Sequence, residues 1–314
     1  MWITEWARTI NKKKKLTFEI LAYEWLDIRK KTIKKSSYSN YRYSVNRYLL
    51  GELGDLTGKI LEEFDFSDFV DDLNQDLAPK TVRDILVILK SILHYGVDEY
   101  HLKIKIKKII SPKLDLEPLV ILNKRETTRL ENCCLKENTL KSLGIIISLY
   151  TGLRIGELCA LRWKNIDLEK REIRVKETLQ RIYDEKTGKT IIIIDTPKSK
   201  KSVRNIPISD KLYAVLAPLK NKYKEDDFFL TGNSKRYIEP RSYQNAFKDI
   251  LKKSKIKTTY TFHILRHTFA TNCIEVGMDI KSLSEILGHA TVEITLNRYV
   301  HSSYKTKKKF LEKL

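Results

Sequence analysis

The chain has 314 residues, 42% hydrophobic and 32% charged, with 60 Lys and Arg against 40 Asp and Glu, for a formal charge of +20. This is a folded composition, long enough for two domains with separate cores, and the charge points to a polyanion, either nucleic acid or an anionic membrane surface. No apolar run approaches the ~18 residues of a membrane span, Met1-Trp2-Ile3-Thr4-Glu5-Trp6 has no export core, and Cys133, Cys134, Cys159 and Cys273 form no CxxC pair. A reducing, cytoplasmic setting is therefore expected, and a disulfide scaffold is excluded.

Residues 1–50 carry 12 Lys and Arg against 4 Asp and Glu, and residues 51–100 reverse this to 4 against 12. The basic N-terminal segment 1–16 ends at a run of four lysines, Lys12, Lys13, Lys14 and Lys15. From Thr17, a suitable cap, Phe18, Leu21, Ala22, Trp25 and Leu26 recur at helical spacing. A second helical pattern starts near Ser36 and runs through Tyr38, Tyr41, Val45, Tyr48 and Leu49. Leu61–Leu73 and Pro79–Tyr95 follow, the latter with proline at its first position. Four helices on short connections predict an all-α bundle over 17–102. The acidic run from Glu62 to Asp76 could suggest two-metal chemistry, but it lies among helix-periodic apolar residues and reads as a solvated helix face.

Residues 103–118 alternate polar and apolar and contain Pro112 and Pro118, which predicts an extended linker. The remaining chain, 119–314, predicts an α+β domain, mainly helical with a small antiparallel sheet. Asn123 and Glu126 form a capping-box pattern, and helices over 139–150 and 155–163 are split by Thr151-Gly152. Strands are expected over 172–181, 190–196 and 203–208, with helices from about 210 to the end.

Several polar residues stand where bland structure would not place them. Arg154, in Thr-Gly-Leu-Arg-Ile-Gly-Glu, heads an otherwise apolar helix and needs a counter-charge, which Glu157 on the same face could supply. His263, Arg266 and His267 share a helix face at i, i+3 and i+4. The two imidazoles have a zinc spacing, but Ile264 replaces the general base of that motif and a guanidinium beside a cation is repulsive, so an anion site fits better. Gly288 would present His289 at a helix end, and Tyr299 follows ten residues later. Lys198, Lys200, Lys201 and Arg204 lie on a short basic connection between two strands. Two arginines, several histidines, a lysine and a tyrosine without a compact carboxylate cluster make a site for phosphate with no metal.

Arg154 in TGLRIGE, Lys198 in TPKSK, His263 and Arg266 in HILRH, His289 after LG, and Tyr299 follow the order of motifs in the tyrosine recombinase (phage integrase) family, which the chain resembles over about 17–314. The resemblance implies a core-binding domain at 17–102, with the pattern Ser36-Ser-Tyr-Ser-Asn-Tyr-Arg, and a catalytic domain at 119–314. It implies that Tyr299 attacks a DNA phosphodiester to leave a 3′-phosphotyrosyl bond, so that religation needs neither ATP nor metal. Arg154 and Arg266 would stabilise the phosphoryl oxygens, His263 would accept the phenolic proton or hold the phosphate, and His289 would donate to a phosphoryl oxygen. Lys198 would protonate the leaving 5′ oxygen, Glu157 would orient the site, and His267 would serve the helix packing.

The expected partner is double-stranded DNA bearing att-type core sites, with Lys12–Lys15, Lys34, Lys35, Arg42, Lys200, Lys201 and Arg204 as contacts. Dimers and tetramers on DNA, joined through a C-terminal tail at 305–314, and accessory DNA-bending or excision factors are implied too. With only about 16 residues ahead of the core-binding helices, an arm-site-binding domain is expected to be absent or to have been removed. No cofactor is expected, and the setting would be a prokaryotic cytoplasm, on the nucleoid. A chromosomal dimer-resolution enzyme, a type IB-like topoisomerase and a DNA-binding regulator are the alternatives. The complete set of six motif residues argues against a decayed regulator.

Overall fold

The computed structural model describes residues 16–114, 119–184, 187–196 and 202–299. It separates into two compact units, one of 1–117 with 182–191 and one of 118–181 with 192–314. Among the described residues no helix is long and apolar enough to cross a membrane.

The first unit is helical. Helix α1 (Phe18–Thr32) starts where the Thr17 side chain accepts from the Ile20 amide, and it buries Phe18, Leu21, Ala22, Trp25 and Leu26. Helix α2 (Lys35–Ser44) passes into a π-helical turn at Val45–Leu49 and then α3 (Leu50–Leu53). The expected helix over 61–73 is instead two, α4 (Gly58–Glu63) and α5 (Ser67–Asp76). The break has a local cause. Phe64 is extended, and Asp65 Oδ1 accepts from the amide and hydroxyl of Ser67, so the side chain offers the backbone an alternative to helix. Helix α6 (Pro79–Tyr100) runs five residues beyond the expected end and stops at His101, in the left-handed conformation.

The predicted linker also needs correction. Ile106–Lys108 form a 3₁₀ turn, and Ile106 and Ile109 are buried in the first unit's core. The apolar residues of the alternating stretch are thus used for packing, and the Lys103 amide is held by Glu62 Oε1 at 2.7 Å.

The second unit begins with α7 (Lys124–Glu137), opened by the reciprocal Asn123–Glu126 hydrogen bonds, and α8 (Leu140–Thr151). Helix α8 is nearly all buried and supplies the middle of the core. The following helix, α9 (Ile155–Ala160), is shorter than expected and gives way to a 3₁₀ turn at Trp163–Asn165. The expected strand over 172–181 is divided into β2 (Glu172–Val175) and β3 (Thr178–Asp184). A two-residue strand β1 (Ile166–Asp167) had no sequence signal, and β4 (Lys189–Asp195) and β5 (Arg204–Pro207) complete the set. β2 lies between β1 and β5, antiparallel to both, while β3 and β4, whose residues 182–191 are counted with the first unit, form a separate two-stranded ribbon. Ile173 and Ile206 are register partners and both are buried.

Among the described residues five α-helices follow: α10 (Asp210–Leu216), α11 (Pro240–Lys253), α12 (His263–Glu275), α13 (Ile280–Leu287) and α14 (Val292–Tyr299). Helix α12 packs against α8, and Ala270, Cys273, Leu283, Leu287 and Tyr299 form a small cluster of their own. All four cysteines are free thiols.

Candidate active site

Two helix ends and one helix start converge on the polar residues. Helix α8 ends at Gly152, whose φ of 66° is left-handed and whose added Cβ would lie 2.7 Å from Phe269 and 2.8 Å from Leu287. Only glycine meets both demands. The chain then turns into α9 with Arg154 just ahead of its first residue. Helix α13 ends similarly at Gly288, φ 63°, where a Cβ would press on the Arg204 side chain at 3.0 Å.

Arg266 projects from α12 into the space between these ends and is 1% exposed. Its guanidinium donates to the Gly152 carbonyl at 2.8 Å and the Leu287 carbonyl at 2.7 Å. A buried cation is thereby set against the negative ends of two helix dipoles, which is how the fold tolerates it. Burial, followed by the charge of Arg154, draws its pKa down to about 9, leaving it protonated at neutral pH.

Glu157 is the anionic hub. Its carboxylate accepts from the Arg154 amide at 3.0 Å, from Arg154 Nη1 at 2.9 Å, and from both terminal nitrogens of Arg204 at 3.1 and 3.0 Å. Burial alone would raise its pKa, but the Arg204 hydrogen bonds and the two arginine charges win and hold it below the usual carboxylate range. Arg204 also donates to the Ile286 carbonyl at 2.5 Å. Its side chain is only 5% exposed, which corrects its assignment as a DNA contact: its donors are committed to Glu157 and to the end of α13. Arg154 keeps 35% of its side chain exposed and reaches toward the Gly288 carbonyl at 3.4 Å.

Tyr299 closes the site from α14, with 7% exposure. His267 Nδ1 lies 3.0 Å from its hydroxyl, so the imidazole expected to serve helix packing meets the phenol instead. His289 stacks parallel to the Tyr299 ring at 6.3 Å and pairs its Nδ1 with the buried Thr295 hydroxyl at 2.7 Å. His263 stands edge-on to His267 at 4.6 Å with its own ring partly open to solvent. Burial raises the Tyr299 pKa, and Arg266 acts on the same phenol in the opposite direction.

All three histidines are held below their ordinary range, His263 and His267 at about 4 and His289 at about 3. The first cause in each case is burial, and neighbouring positive groups add to it, with the Glu157 charge opposing them at His263. The unfolded chain, with histidines near ~6.5, therefore binds protons that the native state refuses. Stability is complete above that pH and is lost as pH falls from about 6.5 toward 4. Thermal melts should show Tm declining steadily below about pH 6.5; a Tm flat down to about pH 5 would contradict the arrangement.

Lys198, Lys200, Lys201, Lys12, Lys13, Lys14, Lys15 and the tail 305–314 lie outside the described residues. Lys35 and Arg42 lie seven apart on α2, and Lys34 directly precedes that helix, all in the first unit. Among the described residues no group of three or more His, Cys, Asp or Glu is placed to hold a metal.

A family model described as the phage integrase family matches residues 121–306, more than half of the chain. The chain belongs to the phage integrase family. It is thus a tyrosine recombinase that resembles the integrases of mobile elements. Among its relatives, the tyrosine recombinase XerC-like protein of Caldanaerobacter subterraneus subsp. tengcongensis is 29% identical over 95% of this chain and 83% of that protein. The ICEBs1 integrase of Bacillus subtilis is 25% identical over 97% of this chain and 84% of its own length. The transposase from transposon Tn916 of Enterococcus faecalis is 37% identical over 51% of this chain, but that stretch is 42% of the transposase. The Tn1549 transposon integrase, solved in complex with transposon right end DNA, superposes with a TM-score of 0.77 at 24% identity, covering 95% of this chain and 99% of that one, a likeness of fold.

Proposed function

We propose that this family member integrates or excises a mobile element by cutting and rejoining DNA at specific sites through a covalent 3′-phosphotyrosyl intermediate on Tyr299. The observation that carries this reading is the meeting of Tyr299 with the Arg266–His267 face of α12, beside the Arg154–Glu157–Arg204 network. A phenol of ordinary pKa ~10 is about 10⁻³ ionised at neutral pH, so the site must both remove its proton and neutralise the phosphate.

Arg154 and Arg266 supply the positive charge, each fixed in place by partners other than the substrate. Preorganised donors cost no reorganisation when charge develops on the phosphoryl oxygens. His263, at the open edge, and His289 would donate to the same oxygens once the phosphate anion draws them toward protonation. Lys198 would protonate the departing 5′ oxygen. Lys12–Lys15, Lys34, Lys35, Arg42, Lys200 and Lys201 would hold the duplex by phosphate contacts whose strength falls steeply with salt. The dimers and tetramers, the tail exchange through 305–314, and the accessory bending factors belong to the same proposal, as does a place on the nucleoid. The relatives that are integrases or transposases of mobile elements support this reading over chromosome resolution.

The test is a nicked duplex bearing the end sequence of the element that encodes the protein, incubated in EDTA. A covalent protein–DNA adduct should accumulate at one position. A strict requirement for Mg²⁺ would contradict the proposal.

A further inference from the structure

Resting on the recombinase reading, we infer that His267, not His263, takes the proton from the attacking tyrosine: its Nδ1 is placed on the Tyr299 hydroxyl, where a general base must stand. The argument is first one of reach. A proton acceptor has to lie within about 2.6–3.2 Å of the oxygen it deprotonates. His267 Nδ1 is at 3.0 Å. His289 has turned its Nδ1 to Thr295 at 2.7 Å and offers Tyr299 only a stacked face. His263 meets the flank of His267, and its exposed edge suits an incoming phosphate better than a buried phenol.

Direction follows from the neighbours. Arg266, whose guanidinium carries only donors, draws the Tyr299 phenol toward ionisation. The phenol's own hydrogen then has Nδ1 of the neutral imidazole, 3.0 Å away, to receive it. The groups acting on His267 are His263 and Arg266 from its own helix and Tyr299 and Arg298 from α14. Helix α8, which packs against α12, carries Tyr150, whose hydroxyl is given to Glu131 at 2.6 Å. Among the described residues no carboxylate acts on His267 itself, and Glu157, which acts on His263 and Arg266, is taken up by Arg154 and Arg204, so the free imidazole stays neutral and ready to accept. An arriving phosphodiester brings the one missing negative charge and stabilises the imidazolium as it forms.

The step balances. As Tyr299 Oη bonds to phosphorus, its proton passes to His267 Nδ1. The phosphorus–O5′ bond breaks, its electron pair leaves on the 5′ oxygen, and that oxygen takes a proton from the Lys198 ammonium. On religation the entering 5′ hydroxyl returns its proton to Lys198 and the imidazolium returns its own to the phenol.

The experiment measures single-turnover adduct formation on the nicked element-end duplex across pH, for wild type, His267→Ala and His267→Asn. Each variant should lose about 10²–10⁴-fold, and its residual rate should climb about tenfold per pH unit, since solvent must then ionise the phenol. Added imidazole should restore part of the His267→Ala rate. Because asparagine keeps a polar group on the phenol, equal loss in both variants, with DNA affinity and Tm retained, separates proton transfer from packing. Variant rates within threefold of wild type, or a loss with unchanged pH profile and no imidazole rescue, would overturn the inference. A second readout needs no His267 variant: Tyr299→Phe should shift the His267 Nδ1 nitrogen resonance of the free protein, and an unmoved resonance also overturns it. Absence of adduct from wild type itself would instead strike the recombinase reading, and this step with it.

Discussion

Arg266→Ala is expected to slow DNA cleavage by about 10³–10⁵-fold, the range a single transition-state arginine contributes to phosphoryl transfer. It should also lower Tm, because the carbonyls of Gly152 and Leu287 lose their donors inside the protein. Arg266→Lys separates the two effects. Lysine keeps the charge but cannot span both carbonyls with a rigid fork, so it should recover stability less well than charge alone suggests, and most of the cleavage defect should persist. Single-turnover adduct formation and thermal melts measure both. A cleavage rate for Arg266→Ala within tenfold of wild type would mean that the phosphate is neutralised elsewhere.

The largest effect on stability is expected at Glu157. Removing its carboxylate leaves Arg204 buried and unpaired and Arg154 without an anchor. Breaking a buried ion pair from one side costs about 3–5 kcal/mol, which for a unit of this size lowers Tm by roughly 6–20 °C. The pH dependence has a definite sign. The native pKa of Glu157 is depressed, so its contribution is whole above the unfolded value near ~4.3 and disappears as pH falls through the native value. The gap between wild type and Glu157→Ala should therefore be full at neutral pH and close in acid. Equal melts at neutral pH would show that the network does not support the fold.

The two predictions draw on parts of the site that were unequally legible in the sequence. Arg154 with Glu157, and His263 with Arg266, lie three residues apart, so helical spacing alone puts each pair on one face. Helix starts were legible for the same reason: Thr17, and Asn123 with Glu126, make their caps within three residues. Arg204 pairs with Glu157 across 47 residues, and His267 meets Tyr299 across 32. No local pattern encodes such a meeting; it follows from how β5 is packed on α9 and α12 on α14. Basic composition therefore placed Arg204 with the surface lysines, although the structure buries it.

The fold shows the same division. The break between α4 and α5 did have a local signal, Asp65 two residues ahead of Ser67, but the apolar periodicity of 61–73 overrode it. Ile106 and Ile109 read as an extended linker because alternation describes backbone shape and says nothing about which core will receive the side chains. The strand pair β2–β5 joins residues about 30 apart, and its register, Ile173 to Ile206, is set by burial on one face.

The most direct test of the central claim is the chemical identity of the link. Wild-type protein trapped on the nicked element-end duplex in EDTA should yield, after digestion, a peptide carrying the DNA 3′-phosphate on Tyr299, and Tyr299→Phe should bind the same DNA and yield none. An adduct on another residue, or one that survives in Tyr299→Phe, would contradict the account.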